Sequence, residues 1–294
     1  MKTKLMSSVM VLSIASLAAS AEEFSWGDAV FQPRVYVGYA DYELKSGNFT
    51  KILENGEILE RPVFIDAKNT KLQFSGPIFG IGATVASGAF FGDLYYQSTP
   101  NEEADSGHTD SVGNHIGAVN AQHDDWAISL GYMITEQWSI FAGYKSGNTE
   151  WDQTVSRINI VNSTTITEQW NGTFEQDGPF LGVSYSLPIE PGVLTFRAAY
   201  AYLDGTFERN TYIVGRGLDD NVKLDGNSNA YSLGLSWTQP LTENLGFSIG
   251  ANYQNYDFDL SGGRQESQSG GTKFNNGSMT ETLFTLNASL IYRF

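Results

Sequence analysis

The sequence predicts an all-β protein, a transmembrane antiparallel up-and-down β-barrel of ten strands. Three observations carry this expectation. Stretches of about ten residues, each alternating bulky apolar with small side chains, recur along the chain. Very short turns alternate with long polar connections between them. Charged residues are nearly absent from the alternating stretches and crowd the connections.

The composition narrows the class further. Charged residues make up 17% of the chain, against about 25% in an ordinary soluble protein. Aromatics at 13% and 31 glycines in 294 residues suit strands and turns better than helices. Outside the N-terminal leader no stretch approaches about 18 uninterrupted apolar residues, which excludes a helical membrane protein. The absence of cysteine excludes disulfides and thiolate metal sites. A formal net charge of −16 repels nucleic acid and removes that partner class.

The first segment reads as a signal peptide over residues 1–21. Lys2 and Lys4 give the positive start, Leu5 to Leu17 the apolar centre, and Ala19-Ser20-Ala21 the small-residue cleavage site, leaving Glu22 first. A membrane anchor is the competing reading, but the segment is too short and too rich in serine. Cleavage would make the remaining chain more acidic by two charges. Residues 22–294 then form one barrel domain with five long extracellular loops.

The clearest strand is Trp126 to Ile134. Trp126, Ile128, Leu130, Tyr132 and Ile134 fall on one face, and Ala127, Ser129, Gly131 and Met133 on the other. The same pattern follows the turn Thr135 to Gln137, with Trp138, Ile140 and Tyr144 against Ser139 and Gly143. It recurs at Leu181 to Leu187, Leu194 to Tyr202, Tyr231 to Trp237, Leu245 to Tyr253 and Phe284 to Phe294. Earlier strands lie near Arg34 to Leu44, Leu72 to Ala86 and Ala89 to Ser98, the second and third joined at Ser87-Gly88. The facing of the first is not fixed by its sequence. Long connections are expected at 45–70, 99–124, 147–177, 204–228 and 261–277, with a hairpin turn at Asn55-Gly56.

Alternation alone does not separate a membrane barrel from a soluble one; charge placement does. Lipid-facing Lys or Arg costs about 2–4 kcal/mol near the bilayer midplane. The exceptional strand charges Asp93, Lys145, Arg197 and Arg293 all fall on the small-residue face, which makes them lumen-lining. Aromatics on the bulky face gather at strand ends. Tyr96, Trp126, Tyr144, Tyr202, Tyr231, Tyr253 and Phe284 would form one girdle. Phe90, Trp138, Tyr185, Trp237, Phe247, Tyr292 and Phe294 would form the other.

The end of the chain, Leu290-Ile291-Tyr292-Arg293-Phe294, resembles the carboxy-terminal assembly signal of bacterial outer-membrane proteins, carried by Leu290, Tyr292 and Phe294. That resemblance implies the outer membrane of a Gram-negative bacterium as the location. Its implied partners are outer-membrane lipid and lipopolysaccharide, and the barrel-assembly machinery during biogenesis.

Ten strands and this length also resemble the omptin surface proteases. Omptins carry an Asp pair in one outer loop region and a His–Asp pair in another. Here the only histidines, His108, His115 and His123, all fall in the second long connection, and Asp219 and Asp220 in the fourth have no histidine. The omptin pattern is therefore not met, and no enzyme activity is expected. The acidic second connection, with Glu102, Glu103, Asp105 and Asp110, has oxygen ligands for a divalent cation but no metal-binding motif, so neither metal nor cofactor is expected.

The inner face is lined by small residues, among them Ser129, Gly131, Gly143, Gly182, Ser232 and Gly250. A barrel of ten strands lined this way should keep spare room, since about eight strands leave just enough for side chains. The first functional reading is thus a narrow, non-enzymatic pore for small solutes. The second is a surface interaction barrel, adhesin-like, with loop aromatics such as Trp151, Trp170, Phe174 and Tyr212 as anchors. A loop-borne hydrolase using His123 ranks third.

Overall fold

In a computed structural model, the described residues are 29–46, 48–52, 58–62, 71–110, 113–159, 164–215, 217–267 and 272–294. They form thirteen strands and no helix. In chain order these are β1 (Val30–Ser46), β2 (Asn48–Ile52), β3 (Ile58–Pro62), β4 (Lys71–Ser87), β5 (Phe90–Ser98), β6 (Glu102–Asp110) and β7 (Gly113–Met133). Then follow β8 (Trp138–Asn159), β9 (Thr164–Ile189), β10 (Gly192–Ile213), β11 (Gly217–Pro240), β12 (Leu245–Ser267) and β13 (Thr272–Tyr292).

Every barrel strand pairs antiparallel with its neighbours, and β1 closes the ring on β13 from Arg34 opposite Ile291 to Ser46 opposite Met279. The wall has ten staves. β5 and β6 make one of them, interrupted around Pro100, which has no N–H to give to a ladder. β2 and β3 form a hairpin that extends from β13 beyond the wall. Asn55-Gly56 lies outside the described residues, as does the leader.

One set of connections is very short. Gly88, with a φ of 55°, turns β4 into β5, a left-handed conformation that glycine adopts without strain. Glu190 and Pro191 join β9 to β10.

At the other end the strands run much further than expected. β9 has 26 residues and β11 has 24, whereas crossing a bilayer takes about 9–11. The expected loops 99–124, 147–177, 204–228 and 261–277 are therefore largely strand. The physical reason is visible in side-chain phase. In β10, Phe196, Tyr200 and Tyr202 point outward, then Leu203 and Phe207 point inward while Asp204 is exposed. β12 changes phase between Tyr253 and Tyr256, and β13 between Leu283 and Phe284. Below the change the bulky face is outside; above it, inside.

A water boundary explains the reversal. Where hydrocarbon surrounds the wall, apolar side chains belong outside. Where water surrounds it, the same hydrophobic effect turns them inward. The outer aromatics sit at this boundary: Tyr96 is paired with Trp126 and Tyr253 with Phe284, and the Trp126 and Tyr144 rings are 6.3 Å apart. At the short-turn end, Trp138 and Tyr185 are 4.8 Å apart and Phe90 and Tyr132 5.0 Å. The first strand is also settled: Val35, Val37 and Tyr39 face out, and Tyr36, Tyr42 and Leu44 face in.

Candidate functional site

The interior is filled in three layers. Nearest the short turns, hydroxyl groups bond across strands, Ser139 with Ser184 at 2.6 Å and Thr238 with Ser248 at 3.0 Å. Above them Arg34 grips Asp93 through two bonds of 2.8 and 2.9 Å, and Thr84 donates to the same carboxylate. Phe91 and Phe141 are buried together, with Phe180 against them.

The glycines of the inner face do not widen the lumen. A Cβ placed on Gly131 would lie 2.0 Å from the Phe91 ring, and one on Gly182 would lie 2.3 Å from Phe141. Gly143 is similarly covered by Phe180 at 2.5 Å, and Gly250 faces the Asn287 amide oxygen at 3.1 Å. Much of the expected spare room is occupied because Gly131, Gly143 and Gly182 each take a phenylalanine ring from the neighbouring strand. A cavity of about 120 Å³ persists at this level, its inner wall including Lys145, Arg197, Gln254 and Tyr256.

At the height of the outer girdle a second polar layer spans the barrel. Lys145 lies 3.0 Å from Asp125, which also accepts a hydrogen bond from Gln97. Lys145 donates to Gln254 at 2.6 Å and to the Tyr256 hydroxyl. His123 is fully buried, its Nδ1 2.8 Å from Thr149 Oγ1 and its Nε2 3.9 Å from Asp125. Thr149 also meets the Tyr42 hydroxyl at 2.8 Å. Glu281 accepts two bonds from Gln176 Nε2, at 2.8 and 2.9 Å. Burial drives the Glu281 carboxyl above its ordinary value, although His123 and Lys145 pull it down. Burial also pushes up the Tyr42 hydroxyl, and the Glu281 charge adds to that.

The third layer is apolar. Among the described residues, twenty buried ones form one cluster that begins at the polar layer, where Tyr42 and Tyr256 belong to both, and continues above it through Leu44, Phe74, Phe174, Phe207 and Phe258. Phe174 and Phe258 meet edge to face at 4.8 Å, and Trp151 packs 5.7 Å from Phe207. Trp151, Trp170 and Phe174, expected as exposed loop anchors, belong to the buried interior because their strand phase is inward; Tyr212 remains at the surface.

Of the expected lumen charges, Asp93 and Lys145 are buried inside, and Arg197 lines the cavity. Arg293 does not join them. It follows the last residue of β13, is exposed, and its carbonyl accepts a bond from Asn244. Ser129 and Ser232 face inward, Ser129 buried opposite Asp93 and Ser232 at the cavity. Leu290 and Tyr292 face outward, and Phe294 stacks 5.9 Å from Phe31 while its N–H bonds the Phe31 carbonyl at 3.0 Å. His123, expected in the second long connection, stands on β7, as does Asp125. Arg34, Gln97, Gln176 and Glu281 were not singled out at all. Counting by twos from Ala127 or from Asn287 places Asp125, His123 and Glu281 on the inner face. The side chains of His108, His115, Asp105 and Asp110 lie outside the described residues.

No family model and no curated protein matches the chain. Among solved structures, the outer membrane protease OmpT from Escherichia coli is similar, with a TM-score of 0.69 at 12% identity, covering 95% of this chain and 100% of that one. A Pseudomonas aeruginosa FadL homologue aligns with a TM-score of 0.38 at 10% identity, over 89% of this chain and 90% of that one. OprG, an outer membrane protein from the same species, gives 0.35 at 11%, over 90% and 95%. The likeness to OmpT is one of fold: a closed, ten-stranded antiparallel barrel of the outer-membrane type.

Proposed function

We propose that the chain is exported by a cleaved leader to the outer membrane of a Gram-negative bacterium. There it acts as a surface interaction barrel, closed to solutes, through its extracellular cylinder. The observation that carries this reading is the apolar cluster of buried residues that begins at the outer girdle and continues beyond it through Leu44, Phe74, Phe174, Phe207 and Phe258. Such a cluster stays dry, and its close packing has no room for a hydrated solute. The polar layers beneath it serve as scaffolding.

The same burial argues for a non-enzymatic role. His123, the histidine best placed for chemistry, has no exposed surface and sits 4.9 Å from the Tyr42 ring beneath the apolar layer. A substrate would need to unpack the core to reach it.

A narrow pore is the second reading, favoured by the 120 Å³ cavity beside Lys145 and Arg197. Planar-bilayer recording separates the two. The closed barrel gives no discrete steps, and opens them when Phe174, Phe207 and Phe258 are all changed to Ala. Steady steps from the unaltered chain would favour the pore.

A further inference from the structure

The interior cavity of about 120 Å³ lies below the second polar layer, and neither polar layer fills it. We propose that it binds a small organic monoanion, a short-chain carboxylate, with its charged end on Arg197 and its carbon chain against Phe141 and Phe180. The proposal goes beyond the closed-barrel reading and rests on it only for the direction of entry.

Strand register sets the shape. Arg197 stands level with Gly234 and Asn252, and Ala199, Ser232 and Gln254 stand one inward step above. Tyr256 and Lys145 make the roof, the ammonium 4.7 Å from the ring. The volume is well above the roughly 10–15 Å³ that one water needs. Phe141 and Phe180, on β8 and β9, give an apolar side; Arg197, Ser232 and Gln254, on β10 to β12, give a polar one. Gln254 Oε1 already accepts from Lys145 and from the Tyr256 hydroxyl, so its NH₂ is the end left to donate.

Charge sets the sign of the ligand. Lys145 is matched by Asp125, 3.0 Å away, which stands outside the cavity lining. Arg197 lies within electrostatic reach of Asp93 and also of Arg34, and Arg34 holds Asp93 through two bonds. Two guanidinium groups therefore share one carboxylate, an excess of one positive charge. No Asp or Glu is among the described residues that line the cavity. Excess charge is costly in surroundings of low dielectric constant, and a monoanion offsets it. A phosphate dianion would overshoot. A guanidinium also meets a carboxylate in a planar, two-pronged geometry that suits this ligand class.

Entry is from the short-turn side. The apolar cluster closes the other end. Towards the turns, the inward positions of β10 to β12 are small and polar, among them Thr195, Ser236, Thr238 and Ser248. Displacing those hydroxyls takes far less unpacking than displacing the rings above.

The test titrates the full barrel, folded in detergent, with radiolabelled butyrate by equilibrium dialysis, using butyramide and chloride as competitors. Saturable binding of one butyrate per barrel is expected. Saturating butyrate should also raise the urea midpoint, because a ligand of the folded state alone stabilises it. Arg197→Met and the cavity-filling Ala199→Leu should each weaken binding by about tenfold or more, and Arg197→Lys, which keeps the charge, should weaken it less than Arg197→Met. Heat-shifted migration on gels verifies that each variant is folded. No saturable binding, binding untouched by Arg197→Met and Ala199→Leu, equal competition by the neutral butyramide, or chloride binding as tightly as butyrate would overturn the proposal. Failure of the closed-barrel reading is distinguishable, because it shows as discrete conductance steps whether or not butyrate binds.

Discussion

Arg34 and Asp93 form a two-pronged ion pair across the barrel interior, with side chains 1% and 0% exposed. The pair joins the first stave to the third across β4, and Thr84 of β4 bonds both partners. Removing one member of a buried pair strands the other charge, which costs about 3–5 kcal/mol, whereas replacing both with apolar groups is often close to neutral. Asp93→Ala should therefore lower stability by about 3–5 kcal/mol, and Arg34→Met/Asp93→Leu should recover most of it. Urea titration of the detergent-folded barrel measures both.

Gly131 and Phe91 make a second close relationship. Any side chain at 131 must displace the ring, so Gly131→Leu should cost about 1–3 kcal/mol by overpacking. Phe91→Ala in the same chain should relieve part of that cost, giving a coupling in a double-mutant cycle. Additive effects would mean that the ring does not cover the glycine.

Glu281 sets a pH dependence. Its folded carboxyl holds a proton at pH values where the unfolded chain, near pKa 4.3, has released it. Its stabilising contribution is therefore complete below about pH 4.3 and is lost as pH rises through the raised folded value. Glu281→Gln keeps an acceptor for Gln176 without a charge. The stability of the variant relative to the parent should grow from pH 4 towards neutrality, measured as the shift in urea midpoint.

The phase reversal predicts opposite outcomes for one kind of change at two heights. Leu130, 73% exposed, faces outward within the expected hydrocarbon band, and Leu130→Arg should cost about 2–4 kcal/mol in liposomes. Asp204 faces outward beyond the girdle, and Asp204→Arg should change stability by less than about 0.5 kcal/mol. Unfolding from liposomes compares them directly.

The membrane half of the barrel was legible in the sequence because its period and phase are uniform. Trp126 to Ile134 and Leu194 to Tyr202 keep one bulky face without interruption. The outer half resembles loops in the sequence for a physical reason. Beyond Tyr202 or Tyr253 the apolar residues shift by one position, so a fixed-phase pattern ends and the exposed Asp, Asn and Thr dominate the composition. Leu203 with Phe207, and Tyr256 with Phe258 and Leu260, continue the alternation on the opposite face.

Residue size taken one strand at a time does not reveal the packing of the interior. Gly131 and Gly182 suggest space until Phe91 and Phe141 are set beside them by the strand register. Likewise Glu281 is far in sequence from Asp125 and Lys145, which the β7–β8 register already sets together, and only the closed ring brings it into their layer.

The most direct measurement uses the chain's lack of cysteine as a silent background. Single replacements Leu203→Cys, inside the cylinder, and Glu208→Cys, on its outer wall, are challenged in liposomes with a water-soluble, membrane-impermeant thiol reagent. A packed interior predicts rapid labelling at 208 and none at 203 until the protein is unfolded. Labelling of Leu203→Cys at a rate comparable to Glu208→Cys would contradict it.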